Sequence, residues 1–289
     1  MPSLKISIFE RTAQNHTEIG FIRDKLALGL AVAGDEVNVT SLDYEECDVA
    51  VILWSPREGA AERARAARKI RHLHSRNLLI FETPVLRGLA QWYFRAGFDH
   101  VHRAGRFFTR DMPADRARAM ELVAKPWKHG EGLVFIAGQM AGDYSLDGVD
   151  VLEWAADVAG WIDRKWSRKV VLRPHPLDMS VTAKWFALAS AVGADLSQRP
   201  LSEDLAAASA WVTFTSGSAV DAVMAGVPTI CLSPNNFAWE VSGHSLNDLE
   251  KPWRGDRSQW IANLAYRQWT ADEIGAGDCW RHLRDCVER

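Results

Sequence analysis

Short apolar runs recur along this chain, each ending at a polar or glycine-rich turn and each followed by a helix-length segment. Residues 4–9 alternate as a strand and give way to a polar loop over 10–16. A helix is predicted from Thr17 to Val32, with Gly34 as its stop. Strands follow at 36–40 and 48–54, the second apolar enough for burial on both faces. An Ala/Arg helix spans 59–76, and a strand at 77–81 ends at Glu82-Thr83-Pro84. Strands separated by helices need crossover connections, so neighbouring strands run parallel and helices cover both sheet faces. The pattern predicts an α/β fold.

Residues 100–130, rich in Arg, Asp, Pro and Gly, are weakly periodic and read as an irregular connection at a domain boundary. A second series then begins with a strand at 132–138 and a polar loop at 139–145. The predicted helix at 149–166 carries Trp154, Trp161 and Trp166, and a strand at 169–173 runs into Pro174-His175-Pro176. A strand at 211–214 meets Thr215-Ser216-Gly217-Ser218, which opens a helix ending near Gly226. Residues 229–232 are the last clear strand, and the tail from Ser245 reads as helical. Of the 13 tryptophans, those at 154, 161, 253, 260 and 269 read as core and helix-docking residues. The expected organisation is a first domain over 1–124 and a second over 125–289 that includes the terminal helices. Two Rossmann-like parallel-sheet domains facing a cleft place a site at the carboxyl ends of the strands.

Composition narrows the class. With 289 residues, 47% apolar and 25% charged, the chain is about right for two domains, can bury a full core and is not disordered. No apolar run approaches the ~20 residues of a membrane span, and the start shows no signal peptide. A cytoplasmic protein with no membrane partner is expected; its oligomeric state is left open. The four cysteines are scattered without ligand spacing, which argues against structural zinc and a disulfide framework. No Asp-x-Asp triplet occurs, so no metal holding a diphosphate is indicated. Residues 57–118 hold 14 Lys/Arg against six Asp/Glu, a net of +8 in a chain of total charge −3. Such asymmetry suggests that one region meets an anion.

Two strand ends carry the chemistry. The hydroxyl cluster Thr215-Ser216-Gly217-Ser218 sits where a strand passes into a helix, and free amides there suit a phosphate. Asp221, three residues on, can cap the helix or accept from a ribose hydroxyl; Ser216 or Ser218 can equally be a plain helix cap. Arg173 and His175 flank a proline-stiffened turn at another strand end, aimed at a phosphate or a base edge, or held for structure alone.

Together these residues bring a family into view. A strand ending in His175-Pro176, then the Ser-rich junction and Asp221-Ala222 through Gly226-Val227-Pro228, resembles the donor-binding domain of two-domain, GT-B type glycosyltransferases. The resemblance is to the capsular-polysaccharide Kdo-transferase-like group and to related phage proteins, DNA hydroxymethylcytosine arabinosyl- and glucosyltransferases among them. Lys125-Pro126-Trp127, Ala137-Gly138-Gln139 with Asp143-Tyr144-Ser145, and the segment from Gln268 to Ile274 also look like the phage group. It covers 125–280 by motif and 1–100 in fold alone; where many members carry Glu, this chain has Asp221.

The resemblance implies a nucleotide-sugar co-substrate, UDP-sugar favoured, with no further cofactor. Its donor site would comprise Gln139, Asp143, Arg173, His175, Thr215, Ser216, Gly217, Ser218 and Asp221, with Gln139 and the helix start in place of a metal. Family logic puts the catalytic base in the first domain, where His16, Glu18 and Glu82 are the candidates; Glu18 can equally stabilise a helix start. The acceptor expected from the basic stretch is a 5-hydroxymethylated pyrimidine in phage-type DNA, gripped by Arg65, Arg68 and Arg103. Its helix turns Ala60, Ala64, Ala67, Ile70 and Leu73 to one side, and the Arg face is otherwise a solvated surface. The alternatives are a capsule or glycan acceptor, a nucleotide-sugar 2-epimerase on the same fold, and a nucleotide-sugar-binding protein without turnover.

Overall fold

The computed structural model describes residues 2–9, 17–40, 43–53, 62–100, 102–178 and 182–288. They form two compact units, Met1–Met120 together with Ile261–Arg289, and Glu121–Trp260. The chain runs β1 (Lys5–Phe9), α1 (Thr17–Ala31), β2 (Glu36–Thr40), β3 (Val49–Leu53), α2 (Glu62–Leu73), β4 (Leu78–Glu82), β5 (Tyr93–Phe98) and α3 (Asp115–Ala119). The second unit follows with β6 (Leu133–Ala137), α4 (Val151–Trp166), β7 (Val170–Arg173), α5 (Thr182–Ala191), β8 (Asp195–Leu196), α6 (Leu201–Ala207), β9 (Ala208–Thr213), α7 (Ser218–Met224) and β10 (Thr229–Cys231). The chain closes with α8 (Ser258–Ala265), β11 (Gln268–Thr270), α9 (Ala271–Gly275) and α10 (Asp278–Leu283).

The first sheet has the order β11-β5-β4-β3-β1-β2. Its strands β1 to β4 are parallel, as the alternation predicts, while β5 runs antiparallel to β4 and β11 antiparallel to β5. The sheet is therefore mixed. Neither β5 nor β11 is predicted from sequence, because Arg95 and Gly97 break the apolar run in one and the other is three residues long. One face packs Ile6, Ile8, Val51 and Phe81 against Ile22, Leu26 and Leu30 of α1 and Trp280 of α10. The other packs Ala50, Ile52 and Ile80 against Ala67 and Ile70 of α2. Burial on both faces is why these strands are continuous apolar runs. Of the apolar face expected on α2, Ala67 and Ile70 are buried, Leu73 is 47% exposed with Ala66 buried in its place, and Ala60 and the Ala64 side chain lie outside the described residues.

The second sheet, β10-β9-β6-β7-β8, is wholly parallel. Val134, Ile136, Leu172 and Val212 meet α4 and Trp185 of α5 on one face, and Phe135, Val171 and Trp211 meet α6 and α7 on the other. Trp185 and Trp211 are fully buried there. Trp154 and Trp161 lie half-buried in edge contact with Phe214 and Trp166.

The expected division at 124/125 differs from the observed one chiefly at the other end. Residues 261–289 belong to the first unit. Strand β11 completes the first sheet, and Trp269 and Trp280 are buried there. Gly29 of α1 makes that docking fit, since a Cβ at this position would lie 1.8 Å from the Ile274 carbonyl oxygen. Gly34 (φ +79°) ends α1 as predicted, its amide donating to Ala31 at 2.9 Å. Charged groups seal the return. Arg284 donates to both oxygens of Asp35, and the Trp280 indole donates to Asp35 as well, at 2.7 Å. Burial pushes the Asp35 carboxyl up, but these donors outweigh it and hold the acid below its usual range.

Three histidines of the first unit, His74, His102 and His282, are driven below the usual histidine pKa of 6.5 by burial before any other cause. Each holds its proton less tightly in the folded unit than in the unfolded chain, so around and below that pKa the unfolded chain binds more protons than the native one. Stability is expected to be full above about pH 7 and to decline as pH falls through about 6. Urea unfolding at pH 7.5 and pH 5.5, followed by amide exchange in β1, β3 and β4, measures the loss.

Candidate functional site

In the second sheet β7 lies on one side of β6 and β9 on the other, so the chain reverses its winding direction between β6 and β9. Crevices at such switch points, beyond the strand carboxyl ends, are where α/β sheets bind ligands. Ala137 and Thr213 are the last paired residues of the two strands. Two residues beyond each stand Gln139 and Thr215, facing one another in register. Both are buried, at 5% and 3% exposure.

Gln139 bridges the two strand ends. Its Nε2 donates to the Ser145 hydroxyl at 2.6 Å and to Thr215 Oγ1 at 2.9 Å, while its Oε1 accepts from the Thr215 amide at 3.1 Å. Asp143 continues the chain, taking the Ser145 amide at 2.9 Å and its hydroxyl at 2.7 Å on one oxygen. The structure thus brings together Gln139, Asp143 and Thr215 from the expected donor set. Their polar groups are turned on one another and brace the turns around them.

The β9–α7 turn is what they brace. The Trp211 indole donates to Ser218 Oγ at 3.1 Å, and the Ser218 and Ser216 hydroxyls are 3.0 Å apart. Residues 216–218 are half-buried. Among the described residues, the amides of Ser216 and Gly217 meet no acceptor. Asp221 follows in the first turn of α7, half-buried.

At the end of β7, Arg173 is engaged. Its Nη1 binds the fully buried Asp204 and the Arg199 carbonyl oxygen, and Asp204 also takes Arg199 Nη2 at 2.9 Å and the Ser197 hydroxyl at 2.7 Å. Arg173 thereby ties β7 to α6. His175 is half-exposed in the turn beyond, and its Nδ1 accepts the Leu177 amide at 3.2 Å. With Nδ1 accepting, the neutral ring carries its proton on Nε2. Asp178, buried at the end of that turn, accepts from the amide of Ala141 at 3.1 Å and links the β7 turn to the β6 loop.

The first unit holds the remaining candidates. Glu82 closes β4, is buried, and accepts the Thr83 amide at 2.8 Å. His16 lies outside the described residues; Glu18 falls in the first turn of α1, its side chain outside them too. Arg65 is exposed and Arg68 half-buried on α2, and Arg103 is half-buried beyond β5. Sequence reasoning missed Asp178, Asp204 and Asn236 as parts of the second unit's strand-end network. No spacing signal marks them, since each acts on a segment distant in sequence. Among the described residues, no three His, Cys, Asp or Glu side chains gather in a metal-binding group, and no helix is long and apolar enough to cross a membrane.

The two units define the fold class as α/β with two Rossmann-like domains, of the GT-B type. No protein-family profile matches the sequence, and no curated protein matches it. Solved structures match in fold. The beta Kdo 2,4 transferase of Thermosulfurimonas dismutans KpsC matches with a TM-score of 0.54 at 13% identity, over 92% of this chain and 91% of that one. The beta Kdo 2,7 transferase of the same KpsC gives 0.54 at 12% identity, over 98% and 100%. At such identities the likeness is one of fold.

Gln139→Ala is expected to leave the buried Thr215 amide without its acceptor and to cost about 2–3 kcal/mol. Urea unfolding of the variant, set beside the wild type, measures it.

Proposed function

We propose that the protein is a glycosyltransferase that moves a sugar from a nucleotide-sugar donor to a hydroxyl of a glycan. The observation that carries the reading is the pair of amides of the half-buried residues Ser216 and Gly217, which meet no acceptor among the described residues and stand at the switch point of a parallel sheet. N–H groups without an acceptor on a braced turn suit the oxygens of a diphosphate, and a braced turn need not reorganise as charge develops there. The Ser216 hydroxyl and the His175 ring stand at neighbouring strand ends. In the transfer, the acceptor oxygen forms a bond to the anomeric carbon while the bond from that carbon to the phosphate oxygen breaks. The electron pair leaves with the diphosphate, and a base takes the acceptor proton. For that base we retain Glu82, at the carboxyl end of its strand, with His16 and Glu18. UDP-sugars are the favoured donors.

A glycan replaces the DNA acceptor expected from the basic stretch. The first unit holds 22 Lys/Arg against 20 Asp/Glu, and the second 12 against 17. A phosphate backbone selects a far more basic balance. Some of the arginines behind the local excess are also spent inside the fold. Arg106 pairs with Asp99 and Glu288, and Arg116 pairs with Glu273 at 2.5 Å while lying 4.1 Å over the Trp269 ring. The fold shared with two Kdo transferases supports a glycan as the polymer.

Calorimetry with UDP, CMP and GDP tests the site: one of them should bind, and His175→Ala should weaken it roughly tenfold through loss of one charge-assisted hydrogen bond. Equal affinity in wild type and variant removes His175 from the site. Incubation with UDP-, CMP- and GDP-sugars and either oligosaccharides or hydroxymethylated DNA should add sugar mass to the oligosaccharide, and turnover should persist in EDTA. Mass on the DNA restores the other acceptor. A changed sugar with no acceptor product points to an epimerase, and binding without turnover to a carrier.

A further inference from the structure

We infer that Asn236 is a positioning residue for the donor site: its side chain, reaching over from the loop after β10, holds the β9–α7 turn in the conformation that presents the Ser216 and Gly217 amides. This inference rests on the donor-site reading above. Asn236 is 1% exposed. Its Nδ2 donates to the carbonyl oxygens of Phe214, at 3.2 Å, and Ser216, at 3.3 Å, while its Oδ1 accepts the Ala238 amide at 2.9 Å. These three partners fix the orientation of the amide, because two carbonyls demand the NH2 group and an N–H demands the oxygen.

The consequence lies in what the turn does with its own backbone. Phe214 and Ser216 straddle Thr215, whose amide is already held by Gln139 from the other side. With both flanking carbonyls drawn toward Asn236, the peptide planes on either side of the Thr215–Ser216 peptide are set. A peptide plane whose C=O faces inward turns the N–H of the next residue the opposite way, and the residue after Ser216 is Gly217. The loop is itself anchored, since the Asn236 amide donates to the Ser233 carbonyl and the Trp260 indole donates to Phe237 at 2.8 Å. Gln139 and Asn236 thus clamp the turn from two directions. Gln139 is reachable by sequence motif, whereas Asn236 is not.

The test uses Asn236→Asp and Asn236→Ala, with Ile162→Val as a control for plain destabilisation, since Ile162 lies in the α4 core and outside the strand-end network. Asn236→Asp keeps the acceptor for Ala238 but faces two carbonyls with a carboxylate, so it should disturb the turn more than Asn236→Ala does. Amide exchange over residues 214–218 in the ligand-free protein should accelerate in both variants and stay unchanged in the control. Affinity for the nucleotide that the wild type binds should fall roughly tenfold or more, at a melting temperature matched by the control. Unchanged exchange over 214–218 in Asn236→Asp overturns the inference whatever happens to binding. Accelerated exchange with undiminished affinity also overturns it, because the turn would then not be what the nucleotide reads, while the donor-site reading survives elsewhere. A wild type that binds none of UDP, CMP and GDP takes down the donor-site reading, and the positioning role with it.

Discussion

A carboxamide inserted between two parallel strand ends is the interaction on which the rest of the second unit's site depends. Where β6 and β9 leave the sheet, their backbone groups lose ladder partners while still buried, and each unmet amide or carbonyl costs free energy comparable to a lost hydrogen bond. Gln139 answers this with a donor and an acceptor on one planar group, meeting Thr215 and Ser145 together. Asp143 secures Ser145, Asp178 secures the loop at Ala141, and Asn236 secures the far side of the turn. A small set of side chains thus braces both turns through hydrogen bonds.

Charge in this protein is used differently in the interior and in the site. Asp204 is fully buried with two arginines and a serine, and Asp35 with one arginine and an indole. Such pairs are costly to break from one side, because the partner left behind is a buried lone charge. They hold β7 to α6 and the returning C-terminal segment to the start of the chain. Arg173 shows how easily the two uses are confused. An arginine at the end of a buried strand looks like a phosphate ligand in sequence, yet here one of its terminal nitrogens is taken by a carboxylate that lies 31 residues away.

The alternation of apolar strands and helices, the continuous burial of β3 and β4, the Gly34 stop and the division into two α/β halves were all legible from residue order alone. These features follow from local periodicity, which a parallel sheet with covered faces imposes directly. The pairing of the hydroxyl-rich turn with a strand end was legible for the same reason. What the tertiary structure decided was every choice between distant partners. Strand β11 and the helices after it dock on the first unit because Gly29 lets Ile274 approach α1 and because Trp269 and Trp280 find their apolar surroundings there. A helical tail carries no local mark of which sheet it will cover. Likewise Gln139 turns inward to Thr215, Arg173 turns to Asp204, and Asn236 enters the site from a loop past the last strand of its sheet. Hydrogen bonds between buried groups are selected by desolvation at a particular place in space, and sequence separation places no limit on which groups meet there.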